Sequence, residues 1–408
     1  MVKPGYKQTE VGVIPEKWKD KKLGDVGKVC MCKRIFANQT SNTGEVPFFK
    51  IGTFGKEADA YISKGLYEDY KQRFSYPQKG DVLISAAGTL GRTIVFEGKD
   101  AYFQDSNIVW LATDKELLCN EYLYHYYKVI KWGASEGSTI ARLYNGIICN
   151  THIALPDVEE QKQIATVLSE IDELISLTEK QISKKKAIKQ GAMQELLTGK
   201  RRLPGFSGEW ETRTLHEISN EMVDGPFGSN LKTEHYTTER QVRIIQLSNI
   251  GEAGWNNANV KYTTFSHAAE LQRCIVQPGS ILIAKMMPAG RAIICPDNEK
   301  SYILGSDVVK VVPNSSVDSR YLVYATKSRF YLDQIADDTQ GSTRARTSVR
   351  KLRKTAILFP EKDEQISIAD ILSEMDMEIA ALEGKIAKYC QIKQGMMQQL
   401  LTGKIRLV

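Results

Sequence analysis

Residues 188–200 of this 408-residue chain read IKQGAMQELLTGK, and residues 392–404 read IKQGMMQQLLTGK. Extended through Leu203 and Leu407, the two phrases agree at 13 of 16 positions. No other feature constrains the fold as strongly, because self-similarity at a fixed offset is the mark of a duplicated structural unit. Upstream, residues 153–172 (IALPDVEEQKQIATVLSEID) align with 357–376 (ILFPEKDEQISIADILSEMD) at the same offset of 204, and GSTIAR (137–142) matches GSTRAR (341–346). The offset then slips to 199, where GDVLISAAGTLGR (80–92) meets GSILIAKMMPAGR (279–291). It slips again to 192, where Trp18 and Leu23 meet Trp210 and Leu215. Such drift is what corresponding elements joined by loops of unequal length produce. The chain is therefore two copies of one unit, nearly identical in the C-terminal quarter and similar only in outline elsewhere.

That quarter is helical. From Ile368, apolar residues fall at Leu372, Met375, Ile379, Leu382, Ile386, Tyr389, Met396 and Leu400, with Lys393 as an interruption. The first copy carries Ile164, Leu168, Ile171, Ile175, Ile182, Ala192 and Leu196, interrupted by Thr178, Lys185 and Lys189. Alternating four–three spacing sets one seam along a helix and favours coiled-coil pairing. Asp157 with Glu160, and Glu361 with Glu364, have capping-box spacing after a proline; Gly199 and Gly403 are stop signals. Two near-equal helices in one chain are expected to pair about a pseudo-two-fold axis, as in a homodimer whose subunits were fused. Residues 153–203 and 357–408 are thus expected to be the helical segments. Residues 1–152 and 204–356 are expected to be α/β domains, making an α+β fold overall. Strands are predicted in 46–52, 81–87, 92–98 and 107–113, and in 242–250, 280–286, 291–296 and 307–312, from β-branched runs bounded by Gly, Pro or Asn. A helix follows in each copy, at 121–130 and 320–328.

Catalytic constellations are absent from the sequence. There is no GxxxxGK[ST] phosphate loop and no GxGxxG after a strand; GTFG (52–55) and GTLG (88–91) are too short to cradle a pyrophosphate. The segment PDVEEQK (156–162) superficially resembles a nuclease cluster, but its counterpart PEKDEQI (360–366) replaces the lysine with Ile366. His125 and His267 have no Ser or Cys partner at a recognisable spacing. Seven cysteines without a CxxC pair, and five scattered histidines, argue against a metal site. No apolar run approaches the roughly 18 residues of a membrane span, and MVKPGYKQTE has no signal-peptide core, so a cytoplasmic, non-catalytic protein is expected. The net charge of +6 permits nucleic-acid binding without establishing it.

Recognition chemistry remains. The first copy places Lys33, Arg34, Lys50, Thr53, Arg92, Gln104, Asn107 and Arg142 at loop–strand junctions; the second offers Gln246, Asn249, Arg291, Arg344 and Arg346. Arg and Lys suit guanine and phosphate, Asn and Gln suit adenine. An ordinary polar loop surface is the competing reading for each. For the shared pair Arg92 and Arg291, the competitor is an arginine that braces the Gly turn.

At this point a resemblance is evident. YKQTEVGVIPEKW (6–18), the endings LLTGKRRL and LLTGKIRL, and LPGFSGEW (203–210) where the second copy restarts are similar to the specificity subunit of type I restriction–modification enzymes. The resemblance covers the whole chain. It implies two target recognition domains, each reading half of a bipartite double-stranded DNA site. It also implies two antiparallel helices that dock two methyltransferase subunits. S-adenosylmethionine, ATP and Mg are then expected on partner subunits, including motor–nuclease subunits, and none on this chain. The rival reading is a pseudo-dimeric coiled-coil adaptor whose variable domains bind proteins instead of DNA.

Overall fold

A computed structural model of the chain describes residues 2–133, 142–286, 288–339 and 346–407. The chain divides into two compact units, residues 1–179 with 384–408, and residues 180–383. These units cut across the four segments read from the sequence. Each contains one variable segment, half of its own long helix and half of the helix from the other copy.

In the first unit a four-stranded antiparallel sheet runs in the order Gly27–Met31, Ile108–Thr113, Val82–Ser85, Thr93–Val95. A three-stranded sheet has the order Tyr61–Ile62, Val46–Phe49, Tyr102–Phe103, with Phe48 paired parallel to Tyr102. The second unit repeats the plan. Its four strands run Ser219–Asp224, Val308–Pro313, Ile281–Ala284, Ala292–Ile294. Its other sheet has five, in the order Tyr236–Thr237, Tyr262–Thr263, Val242–Ile245, Tyr302–Leu304, Ile275–Val276, with Ile244 parallel to Ile303. The α+β duplication is as expected from the sequence. Val82–Ser85 and Ile281–Ala284 are paired on both sides and buried at every position, which is why both read as continuous apolar runs without alternation.

Several expected strands are shorter than the sequence implies: 46–52 ends at Phe49, 92–98 spans only Thr93–Val95, and 291–296 only Ala292–Ile294. The stretch 242–250 leaves the sheet after Ile245, because the Gln246 N–H donates to the Asn249 side-chain oxygen at 2.8 Å and a tight turn forms. A local side-chain acceptor has displaced the ladder. The edge strands Gly27–Met31 and Ser219–Asp224 carry no clear period-2 pattern and are visible only in the structure.

The long helices are Val158–Leu196 and Lys362–Leu400, 39 residues each, or about 58 Å at 1.5 Å per residue. Their ends join the domain cores. In the first unit Ile164 and Leu168 pack with Met397, Leu400 and Leu401 around Trp18, Leu23 and Tyr122. In the second, Ile368 and Leu372 pack with Met193, Leu196 and Leu197 around Leu215 and Tyr321. Ile171 and Ile379 are also buried, whereas Ile175 and Met375 are only half-buried. Two of the seam interruptions form ion pairs within a unit: Lys393 with Asp172, and Lys189 with Asp376. Both pairs run between the two helices and hold them antiparallel in register.

The expected capping boxes do not form. Asp157 does cap the first helix, its carboxylate accepting from the Glu160 N–H at 2.9 Å. The Glu160 side chain, however, accepts from Trp18 Nε1 at 3.0 Å and from Arg406, just beyond the end of the other helix. Glu364 is held the same way, by Trp210 Nε1 at 3.0 Å and by both prongs of Arg202 at 2.8 Å. Each buried carboxylate thus ties one helix start to the other helix's exit. The turns that allow this are Gly199 and Gly403, at φ +69° and +67°. A Cβ on Gly403 would lie 2.4 Å from the Pro15 ring, so only glycine fits there.

Candidate nucleic-acid interface

Five of the eight residues singled out in the first copy, Arg34, Lys50, Gln104, Asn107 and Arg142, converge on one cavity, and Lys33, Thr53 and Arg92 do not line it. The cavity has a volume of about 480 Å³, and Phe36 is among its other lining residues. Arg142 anchors it: Nη2 donates to Asn107 Oδ1 at 3.1 Å and to Ser106 Oγ at 3.0 Å. Ser106 sits at φ +54°, an uncommon conformation for a side-chain-bearing residue. Arg34 is paired with Asp105 at 2.9 Å and Lys50 with Asp59 at 2.9 Å; both cations remain substantially exposed. Gln104 spends its Oε1 on the Ile51 N–H at 2.9 Å, leaving its amide NH₂. Thr53 closes a turn on the Lys50 backbone at 3.1 Å, and the Lys33 ammonium lies 5.1 Å from the Phe74 ring centre.

The second unit places a cavity of about 270 Å³ beside the corresponding arginine, lined among others by Asp224, Phe227, Lys285, Ser306, Arg346 and Thr347. Backbone pairing establishes the correspondence. Ala87 bridges Arg142 in the first unit, and Met286 bridges Arg346 in the second. Arg346 donates to Asp307 at 2.7 Å, where the first unit pairs Arg142 with Asn107. Phe36 and Phe227 are both exposed, on the loop leaving the first strand of each main sheet.

Three of the sequence candidates turn out to brace loops. Asn249 is fully buried, and its amide donates to the Asn256 and Ala258 carbonyls at 2.9 and 2.8 Å. Every polar atom of that side chain is committed to its own loop, so it has nothing to offer a base. Arg92 Nη1 donates to the Phe54 carbonyl at 2.9 Å and Arg291 Nη1 to the Ile250 carbonyl at 3.3 Å. Both hold the segment after the parallel strand, the bracing role that competed with recognition in the sequence. Gln246 starts the same turn that Asn249 closes. Arg344 lies outside the described residues.

Sequence reasoning overlooked a basic groove of about 640 Å³ in the second unit, lined by His216, Arg273, Arg350, Arg353 and Lys354 with other residues. Its signal was the run RKLRK at 350–354, on the short helix Val349–Lys354. The equivalent helix in the first unit, Asn145–Asn150, carries no charge. Among the described residues no group of His, Cys, Asp and Glu is arranged to hold a metal ion, and no helix is long and apolar enough to cross a membrane.

Each unit of the duplicated frame thus carries a cavity beside an anchoring arginine, Arg142 or Arg346. The model of the type I restriction–modification DNA specificity domain matches twice, at residues 15–186 and 208–389, and the chain belongs to that family. It is 25% identical over 430 aligned positions to the MjaX type I restriction enzyme specificity subunit of Methanocaldococcus jannaschii, covering 98% of this chain and 97% of that one. It is 56% identical over 158 residues to a type I restriction enzyme specificity subunit of Haemophilus influenzae, where the match spans 38% of this chain and 41% of the relative. Among solved structures, the S subunit of a type I restriction–modification system from M. genitalium has the same fold, with a TM-score of 0.61 at 15% identity over 97% of this chain and 98% of that one.

Proposed function

We propose that each unit reads one half of a bipartite double-stranded DNA target through its cavity, and that the long helices dock two methyltransferase subunits. The observation that carries this reading is a cavity beside the corresponding arginine in each unit. Both are built on the same arginine anchor, Arg142 or Arg346, yet they are lined by different side chains. A shared frame with different lining is what two different half-sites require, since base edges are told apart by donor and acceptor pattern. Equivalent partners, by contrast, require equivalent surfaces. Ile188 and Ile392, in the repeated phrase IKQG, are both exposed on the helices. In this reading the chain performs no bond chemistry. S-adenosylmethionine, ATP and Mg belong to the methyltransferase and motor–nuclease partners.

The test is an exchange of residues 1–152 for the corresponding segment of a relative, followed by mapping of methylated adenines in cells. One half of the methylated sequence should change while the other half stays the same. A change in both halves, or methylation that does not depend on the chain, would overturn the reading in favour of an adaptor that binds proteins.

A further inference from the structure

Resting on that reading, two positions distinguish the second cavity from the first in a way that packing does not explain. Ala86 and Lys285 occupy the same place in the two sheets: Ala86 N–H donates to the Asn107 carbonyl at 2.8 Å, and Lys285 N–H to the Asp307 carbonyl at 2.9 Å. Leu143 and Thr347 correspond equally, donating to the Ala86 and Lys285 carbonyls at 2.9 and 2.8 Å. The first unit therefore fills both positions with apolar core residues. The second fills them with a lysine only 7% exposed and a threonine only 2% exposed, both lining the 270 Å³ cavity.

Neither side chain has its polar needs met. Thr347 Oγ1 is buried without a hydrogen-bond partner. The Lys285 ammonium has one carboxylate within 4 Å, Asp224 Oδ2 at 3.9 Å and beyond hydrogen-bonding distance, with Asp307 farther off. Burial lowers the pKa of Lys285 from its ordinary value, which marks a charge short of compensation. A buried donor without an acceptor is costly, and simple packing would favour the alanine and leucine of the first unit. Such groups persist where a ligand completes them.

The cavity also says what kind of ligand. Its lining carries a carboxylate, Asp224, whose Oδ1 accepts from Arg273 at 3.2 Å and whose Oδ2 faces the lysine, and Arg346 is already paired with Asp307. A phosphate would meet Asp224 as a like charge. A G·C pair offers both kinds of partner side by side: guanine O6 and N7 accept, and the cytosine N4 amino group donates. We propose that Lys285 and Thr347 donate to the acceptor edge of a guanine while Asp224 accepts from its paired cytosine, so that this cavity specifies a G·C pair in the half-site of the second unit. The four-carbon stem of Lys285 lets the ammonium meet an edge brought to the cavity mouth.

Lys285→Ala gives the second unit the residue the first already carries, and Lys285→Met keeps the volume of the stem. Each is made in the full complex and read by methylation mapping and by salt-dependent DNA binding. The expected result is loss of discrimination at one G·C position by roughly 10- to 100-fold, with the rest of the target unchanged and the salt slope close to that of the unmodified complex. Thr347→Val should weaken the same position to a smaller degree. A half-site without any G·C pair overturns the inference, as does unchanged specificity in an assembled variant. A salt slope reduced by about one with intact specificity also overturns it, because that is the signature of a phosphate contact. If the unmodified complex has no defined target, the DNA reading itself fails. If it has one that both lysine variants leave intact, only this inference fails.

Discussion

The Glu364 carboxylate is the place where a single substitution should report most clearly on how the helices are held. Its side chain is 1% exposed and accepts three hydrogen bonds: from Arg202 Nε and Nη2 at 2.8 Å each, and from Trp210 Nε1 at 3.0 Å. Arg202→Met removes two of the three and leaves a nearly buried anion with one neutral donor. Breaking a buried pair from one side costs about 3–5 kcal/mol. The Arg202 side chain is 28% exposed, so water can partly replace the guanidinium, and the lower end, about 3 kcal/mol, is expected. For a unit of the size of residues 180–383 that is a fall in melting temperature of roughly 6–12 °C. The double variant Arg202→Met/Glu364→Met removes the charge together with its partner and should cost no more than about 1 kcal/mol. The assay is scanning calorimetry of the four proteins of the cycle, with an expected coupling of about 2 kcal/mol or more between the two positions. A coupling near zero, or a loss below about 1 kcal/mol for Arg202→Met, would refute the argument. It would mean that the apolar seam alone sets the register. The Glu160–Arg406–Trp18 group should respond with the same sign, since it is built alike.

Two further outcomes follow from buried positions. Leu372 is fully buried in the core of the second unit, so Leu372→Lys should cost several kcal/mol and abolish the cooperative urea transition of that unit. The same change at exposed Leu174 should move the midpoint by no more than about 0.5 kcal/mol. His125 is fully buried beside Ser169, with Lys128, Asp172 and Lys393 nearby; burial, reinforced by Lys128, pushes its pKa down to about 4. The folded imidazole stays neutral while the unfolded one takes up a proton below about 6.5. Stability should therefore fall, at up to about 1.4 kcal/mol per pH unit, as the pH drops from about 6.5 toward 4. His125→Tyr, matching Tyr324 in the second copy, should flatten that part of the denaturant-midpoint profile, and an unchanged slope would place the titration elsewhere.

Much of the architecture was legible because it depends on periodicity. A repeat of 3.5 residues fixes a helical seam whatever surrounds it, so Ile164, Leu168, Leu372 and Leu400 could be assigned to helix pairing from spacing alone. Continuous apolar runs such as VLIS and ILIA marked the central strands for the same reason. Edge strands gave no such signal, because residues with one side in solvent need not repeat. Glu160 and Glu364 misled. Their spacing from Asp157 and Glu361 is that of a capping box, yet the structure pairs them with arginines 246 and 162 residues away.

The candidate site shows the same division. Composition and position in the sequence identified Arg34, Lys50, Asn107 and Arg142, which do meet around one cavity. They could not separate these from Asn249, Arg92 and Arg291, because residue type does not reveal which hydrogen bonds are already taken. Nor could they find Lys285, which sits in the midst of the apolar run ILIAKMM. What the sequence by itself determined is the duplication, the helical register and the family, all of which rest on local patterns. Which polar side chains are free for a partner was decided only by the tertiary structure, since satisfaction is a matter of neighbours in space: Asn249 is spent on its own loop, whereas Thr347 is buried without a hydrogen-bond partner and lines a cavity beside Lys285.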